Sequence, residues 1–450
     1  MVENNALFDI ELSYEDSCIA TPRELISSLK PMNIKQTTTC AGGPVLYRNG
    51  DIAYTDPSEL HSMVIGDTGS TKTLRYVLPL IRSCAYAGES MLIIDPKGTL
   101  HKESRTTLEK CGYEHIHVVN FRDPEKSTDK WNPLEPVAMA MRQRIGGGKD
   151  LAYQRLADIL DTLFFQRTAA KTDPYWVEIT GQFALGICQA IIELGNAEAM
   201  NMNTIIRLRN DEEALKGICE KLKDKAPEAC AAIMGVIVME AHATKSCILS
   251  TFDQLTRLFS MTPKLTQMLS KQSFSFLRMG REKTAIFVVI PDEKTTYHLL
   301  AQLMINQCYM MLLESAEKTN GTLKNRVNFI LEEFCNLPKM EDILPMLSAA
   351  RSRNIRLHLV IQSYGQMIEK YGEQASRAIM DNCGNWIYLH TREYHFLEYI
   401  SDVVGKDRNG RRLLSPSQLQ HLDKSETLIL HDRCYPIVVR DVPLIFEYGT

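Results

Sequence analysis

Residues 66–73 read Gly66-Asp67-Thr68-Gly69-Ser70-Thr71-Lys72-Thr73. They follow the pattern G-x-x-x-x-G-K-S/T, and only Thr71, where a glycine belongs, departs from it. Such a loop does a definite job. Its backbone N–H groups, opening onto a helix N-terminus, cradle the β- and γ-phosphates of a nucleotide; the lysine neutralises them, and the hydroxyl holds Mg²⁺. Gly66, Asp67, Thr68, Gly69, Ser70, Thr71, Lys72 and Thr73 are therefore the candidate nucleotide ligands, with ATP and Mg²⁺ the expected cofactors. The alternative is a structural glycine turn. The flanks argue against it: a short apolar strand, Ser62 to Ile65, leads into the loop, and a helix from Thr73 to Ala87 leads out. Pro79 is expected to kink that helix.

Three further constellations share the chemistry. Asn328-Phe329-Ile330-Leu331-Glu332-Glu333 is an apolar strand ending in two acids. At a phosphate site the first, Glu332, would lie at Mg²⁺ and the second, Glu333, would polarise the attacking water. Alone, the pattern also describes a strand ending at a solvated surface; the phosphate loop selects the catalytic reading. Next, the strand Leu357 to Ile361 ends in Gln362-Ser363, a polar amide at the edge of a sheet where such folds bind ligands. Gln362 could report on the γ-phosphate or on the attacking water. Last, Ala350 to Arg356 carries Arg351, Arg353 and Arg356. Either this is a solvated helix end, or it supplies a cation to a neighbouring subunit's phosphate, with Arg351 the first candidate.

These residues need a sheet whose strand ends meet. Residues 56–137 read as βαβ, with Met91 to Ile94 running into Asp95-Pro96-Lys97-Gly98 and another strand at Ile116 to Asn120. From Thr284 the pattern resumes: strands Ala285 to Ile290 and Val327 to Leu331, a long helix from His298 to Lys318 between them, then Trp386 to Leu389, Thr427 to Leu430 and Tyr435 to Val439. Between them, residues 138–275 show helical periodicity in Leu151 to Phe165, Tyr175 to Leu194 and Leu249 to Phe259, entered through Gly146-Gly147-Gly148. Near the N-terminus, Asn49-Gly50 between Val45-Leu46-Tyr47 and Ile52-Ala53-Tyr54 predicts a two-residue hairpin. The division expected is a hairpin-containing segment 1–55, a first nucleotide-binding part 56–137, an all-α insertion 138–275 and a second nucleotide-binding part 276–450. The fold class is α/β with a mostly parallel, helix-covered sheet.

Composition narrows the function classes. A chain of 450 residues is long for one core. Its net charge of −4 offers no global attraction for nucleic acid, so any such contact is local. Gly405 to Arg412 is a basic, turn-like segment that reads as a solvated loop. Twelve cysteines without a C-x-x-C pair suit a reducing compartment. No apolar run approaches the ~18 residues of a membrane span, and Met1 to Asn5 lacks the marks of a signal peptide, so a cytoplasmic protein is expected.

The order of motifs resembles the type IV coupling proteins, the hexameric ATPases that deliver DNA and relaxase to conjugative secretion channels. The resemblance is carried by Gly66 to Thr73, Asp95-Pro96-Lys97-Gly98, Trp131-Asn132-Pro133-Leu134, Glu332 to Pro338, Ala349 to Arg353 and Asn354 to Ser363. It covers about residues 40–440 and is similar in particular to the coupling proteins of conjugative elements in Gram-positive bacteria. It implies a RecA-like P-loop core with an inserted all-α domain, a homo-hexamer, and DNA, relaxase and secretion-channel components as partners. It also implies roles: Lys72 and Thr73 on phosphate and Mg²⁺, Glu332 the metal-side acid, Glu333 the base, Gln362 the sensor and Arg351 the finger. Three residues depart from the family pattern. Thr71 puts a β-branched side chain where backbone should approach phosphate, Gly69 being the position expected to need a positive φ. Glu332 stands where aspartate is usual, and Thr99 where an acid is usual. A carboxylate displaced by about 1 Å can cost ~10²-fold in rate, so slow turnover is expected. Two other readings remain: a nucleotide-gated docking protein that hardly hydrolyses, and a soluble ring ATPase of the same superfamily in DNA processing or defence.

Overall fold

The computed structural model describes residues 19–35, 41–143, 147–165 and 173–440. Gly146 and residues 1–18, which belong to the expected entry to the helical region and the N-terminal segment, lie outside the described residues.

Three short strands come first: β1 (Lys30–Asn33), β2 (Val45–Asn49) and β3 (Ile52–Thr55), in the order β1-β3-β2. The hairpin turn is one residue later than expected. Asn49 is the last residue of β2 and pairs with Ile52, so the turn is Gly50-Asp51. Gly50 supplies the positive φ, 59°, that the tight reversal requires.

Nine strands form the main sheet: β4 (Ser62–Gly66), β5 (Ser90–Asp95), β6 (His115–Asn120), β7 (Thr284–Val289), β8 (Val327–Leu331), β9 (Ile355–Ile361), β10 (Asn385–His390), β11 (Glu426–His431) and β12 (Ile437–Arg440). Their order is β12-β11-β10-β4-β9-β8-β5-β7-β6. The run β10-β4-β9-β8-β5 is parallel throughout, while β11 and β12 add an antiparallel edge. Every residue of β4, β5, β7, β8 and β9 is buried, which is why those segments read as continuous apolar runs. The parallel registers align the strand ends. Ile65 pairs with Ile361, Leu331 with Leu359 and Ile94 with Leu331, so the chain leaves β4, β9, β8 and β5 at one edge.

The described residues divide into two compact units, those within 1–116, 277–287 and 312–450 in one, and those within 117–276 and 288–311 in the other. The division expected from sequence stood at 137/138 and 275/276, and gave the whole His298 helix to the nucleotide-binding part.

In the first unit Pro79 does not simply kink its helix. Thr73–Val77 is a π turn, in which Leu78 N–H bonds to Thr73 O, and the α-helix proper is Leu78–Ala87. Proline, which has no N–H and crowds the carbonyl four residues back, thereby falls in the first α turn, where neither matters. Arg356 sits in a buried polar cluster at the amino-terminal edge of the sheet. Its guanidinium pairs with Glu89, donates from Nε to Asn328 Oδ1 at 2.8 Å, and reaches Gly42, Asp56 and Ser58 carbonyls. A guanidinium so used cannot serve a neighbouring subunit, which removes Arg356 from the finger candidates. Gly42 is required here: a Cβ would lie 2.5 Å from the Glu89 carboxyl carbon.

The second unit is helical from Glu135 onward. Pro174–Glu193 is its central helix, packed against Gly148–Leu160, Pro227–Ile237 and His242–Thr256. Gly186 permits the closest approach, since a Cβ would meet Ala229 O at 3.0 Å. Asp173, Asn201, Asp211 and Thr262 cap four of its helices with their side chains, the local signal that starts them. The Trp131-Asn132-Pro133-Leu134 motif is structural. Trp131 Nε1 donates to Gln307 Oε1 at 3.2 Å, and Asn132 Nδ2 to Met200 O at 2.9 Å. Among the described residues no single helix is long and apolar enough to cross a membrane; one pair bent by 115°, Pro227–Ile237 with His242–Ser260, passes by length and composition alone.

Candidate nucleotide site

At the carboxyl edge of the parallel strands the loop after β4 turns back on itself. Ser70 N–H and Oγ both donate to Asp67 O, at 3.1 and 2.7 Å, and Lys72 Nζ donates to Gly66 O at 2.5 Å and to Asp67 O at 3.2 Å. The ammonium is buried, so desolvation lowers the Lys72 pKa, opposed by the Glu333, Glu332 and Asp67 charges. A buried cation bonded only to loop carbonyls is poised for a stronger, anionic partner.

The departure at Thr71 proves to be one of backbone as well as bulk. Gly69 has φ 87° as expected, but Thr71 also has φ 62°. A β-branched residue is a genuine outlier in that region, which costs roughly 1–2 kcal/mol for an L-residue. The family's glycine therefore answers a conformational need as well as a close approach.

Glu332 and Thr73 meet directly: the hydroxyl donates to Glu332 Oε1. Glu333 is in the left-handed region, φ 57° and ψ 44°, and its Oε2 accepts from Gln362 Nε2 at 2.7 Å. Gln362 Oε1 in turn accepts from Thr68 Oγ1 at 3.1 Å. Thr68, Lys72, Thr73, Glu332, Glu333 and Gln362 are thus brought together. Strained φ at Thr71 and Glu333, on both sides of one site, marks a conformation that the surrounding fold imposes.

Asp95 ends β5 beside them. Its carboxylate accepts from Thr99 and His101 N–H, both at 3.1 Å, and so fixes the start of helix Leu100–Lys110; burial nonetheless raises its pKa. Arg75, behind the loop, donates to the carbonyls of Lys424, Ser425 and Glu426 and to Thr427 Oγ1, tying the loop's helix to the start of β11. Neither role was assigned from sequence. Asp95 carried a readable signal, an acid at the end of an apolar strand; Arg75 carried none.

Arg351 is not among the clustered residues. It is exposed, in the turn before β9, whereas Gln362 comes directly after β9. Seven strand residues at ~3.3 Å each separate the two by about 20 Å, so Arg351 cannot reach the site of its own chain. Arg351 thus lies at the opposite end of β9 from Gln362.

The donor set fits a magnesium nucleotide. Mg²⁺ takes one or two protein ligands and completes its shell with phosphate and water, and the Thr73 hydroxyl beside the Glu332 carboxylate offers such a pair. Burial chiefly, with repulsion from Glu333 and Asp95, lifts Glu332 from 4.5 to about 7, against the Thr73 hydrogen bond and Lys97. The folded state holds this proton more tightly than the unfolded one, so stability falls as pH rises from about 4.5 through about 7. The nucleotide-free Glu332→Gln variant should therefore gain in melting temperature over the wild type across that window, with little difference at its acid end. A gap that stays constant with pH would refute the burial argument.

Residues 20–408 match the family described as Type IV secretory system Conjugative DNA transfer. The chain belongs to this family. Its curated relatives include Protein VirD4 of Agrobacterium fabrum strain C58, 22% identical over 86% of this chain and 59% of the relative, and Conjugal transfer protein TraG of Escherichia coli, 22% identical over 77% and 55%. The chain thus spans somewhat over half the length of the relatives it matches. Among solved structures, the bacterial conjugative coupling protein TrwBdeltaN70, in complex with sulphate, is similar with a TM-score of 0.66 over 97% of this chain and 95% of its own, at 16% identity. That likeness establishes the fold, a RecA-like α/β core of the coupling-protein family.

Proposed function

We propose that this chain is an ATP-driven coupling protein that recruits DNA, with its relaxase, and pumps it toward a type IV secretion channel. The observation that supports this most is the convergence of Lys72, Thr73, Glu332, Glu333 and Gln362 at one sheet edge. The related TrwB has been seen with the ATP analogue ADPNP and with ADP and Mg²⁺, in keeping with ATP and Mg²⁺ here. Lys72 and the loop N–H groups would bind the phosphates, and Thr73 with Glu332 would hold Mg²⁺, which when bound neutralises charge on the β- and γ-oxygens. Glu333 accepts the proton of the attacking water. Gln362 holds that carboxylate in place while its carbonyl stays on Thr68 of the loop, so a change at the phosphates is felt at the base. Arg351 serves the neighbouring subunit of a homo-hexamer. Single-stranded DNA would be gripped by channel-facing loops, and the helical unit would recognise relaxase or other cargo. The protein would be cytoplasmic, recruited to the inner face of the membrane by secretion-channel partners.

The test is nucleotide binding and DNA-stimulated hydrolysis by purified protein, with oligomer mass measured alongside. Lys72→Ala should weaken ATP binding by roughly tenfold or more, the worth of a charge-assisted hydrogen bond, and leave the fold intact. Equal affinities by calorimetry would sink the proposal.

One observation favours the second reading, a docking protein with attenuated hydrolysis: the strained Thr71 backbone beside an over-long, buried Glu332. Thr71→Gly with Glu332→Asp restores the family pattern and should raise turnover, by up to ~10²-fold if carboxylate placement is limiting. A double variant no faster than wild type would reject attenuation at these positions.

A further inference from the structure

His390, the last residue of β10, holds the phosphate loop by two bonds. Its carbonyl accepts from Asp67 N–H at 2.9 Å, and its Nδ1 lies 3.0 Å from Asp67 Oδ2. Its Nε2 faces Gln420 O at 3.2 Å. The Asp67 carboxylate can only accept, so Nδ1 is the donor in that contact. Asp67 is the hub of the loop: its own carbonyl receives Ser70 and Lys72. Whatever fixes Asp67 therefore fixes where the Lys72 ammonium rests. The strand is shaped for this, because the β10–β4 pairing shifts register between Tyr388 and His390 and so sets His390 opposite Gly66. Three residues on, Glu393 Oε2 accepts from Gly365 N–H at 2.9 Å, in the first turn of helix Tyr364–Tyr371, which begins directly after Gln362-Ser363. The turn is itself stiffened, with Glu393 N–H on Thr391 Oγ1 at 3.3 Å and Thr391 N–H on Tyr388 Oη at 3.2 Å.

We infer that the turn 390–393 is a brace for the phosphate site, with His390 and Glu393 as positioning residues: His390 sets the loop that carries Lys72, and Glu393 sets the turn that carries Gln362. One short segment then grips both the phosphate-binding and the sensing side. Helix Tyr394–Val404 grows directly from it, so a displacement of that helix would reach both sides together. This rests on the nucleotide-binding reading of the site for its purpose, though not for its geometry.

Two measurements separate the brace from that reading. In nucleotide-free protein, hydrogen–deuterium exchange across residues 66–73 should rise several-fold in His390→Ala with exchange in β8 and β9 unchanged. In binding, a fluorescent ADP with Mg²⁺ should bind His390→Ala about tenfold more weakly, the worth of one charge-assisted hydrogen bond. Asp67→Ala should do the same, and the double variant should be no weaker than either single one. His390→Asn, which keeps one donor, should recover part of the affinity. Glu393→Ala should leave ADP affinity near wild type and lower kcat, since it acts on the Gln362 side. Unchanged loop exchange in His390→Ala overturns the brace whether or not nucleotide binds. Full additivity of the His390 and Asp67 losses also overturns it. Wild type that binds no nucleotide, with loop exchange still raised in His390→Ala, overturns the proposed function and leaves the brace standing.

Discussion

Arg351→Ala is expected to lower ATP turnover by ~10³–10⁵-fold while leaving ATP affinity nearly unchanged, because a finger meets charge that develops only in the transition state. The geometry makes the expectation sharper. Arg351 stands exposed before β9, with the length of that strand between it and Gln362. In the proposed ring it would meet a phosphate only across a subunit boundary. Arg353 is a weaker candidate, since its Nη1 is already bonded to Ala349 O at 2.8 Å. Arg356 is excluded by burial and by its pairing with Glu89. Mixing Arg351→Ala with Glu333→Gln subunits tests the arrangement. One variant lacks the finger and the other the base, so a mixed ring contains some interfaces with both groups intact, and activity should partly return. No recovery in rings shown by mass to be mixed would count against a finger in trans. Full activity of Arg351→Ala alone would reject any role in hydrolysis and return it to a solvated helix end.

The core of the site was legible because parallel strands buried on both faces write themselves as apolar runs, and the residue after each run must surface at the same edge. That logic located Glu332, Glu333 and Gln362, while Lys72 was read from the loop pattern itself. Applied once more, it would have found His390, which ends the expected strand Trp386 to Leu389 just as Gln362 ends its own. It fails for residues before a strand. Arg351 was reached as the first of a cluster of arginines and through the family resemblance, and neither can tell that the helix Ile343–Ala350 delivers it to the far edge. Arg356 read as one of three surface arginines because its partner Glu89 lies 267 residues away in sequence. The positive φ at Thr71 was hidden for another reason. A residue type records which conformations are easy, and threonine in the left-handed region runs against its own preference. The hairpin turn slipped by one residue for the same kind of reason, since both Asn49 and Gly50 tolerate a positive φ and only the pairing of β2 with β3 decides which of them turns.

Glu333→Gln should give a protein that binds ATP as well as wild type, or better, and turns it over ~10²–10⁴-fold more slowly, the usual worth of a positioned general base. Three features support the proposed assignment of the base to Glu333 rather than Glu332. The first acid is committed to Thr73, the hydroxyl that would hold Mg²⁺, and so faces the metal side of the site. The second is turned away from β8 by its left-handed backbone, and Gln362 Nε2 holds one carboxylate oxygen at 2.7 Å, leaving the other for water. Glutamine at 333 preserves this frame, because its amide oxygen can accept the same bond from Gln362; what it loses is the ability to take a proton. The contrast with Glu332→Gln is the discriminating result. Loss of the metal-side acid should weaken Mg²⁺-dependent nucleotide binding as well as turnover, whereas loss of the base should spare binding. If Glu333→Gln weakened ATP affinity as much as Glu332→Gln while sparing kcat, the two assignments would have to be exchanged. Gln362→Ala should then fall between wild type and Glu333→Gln: the base survives but is no longer aimed, so turnover drops by less than in Glu333→Gln, with affinity unchanged.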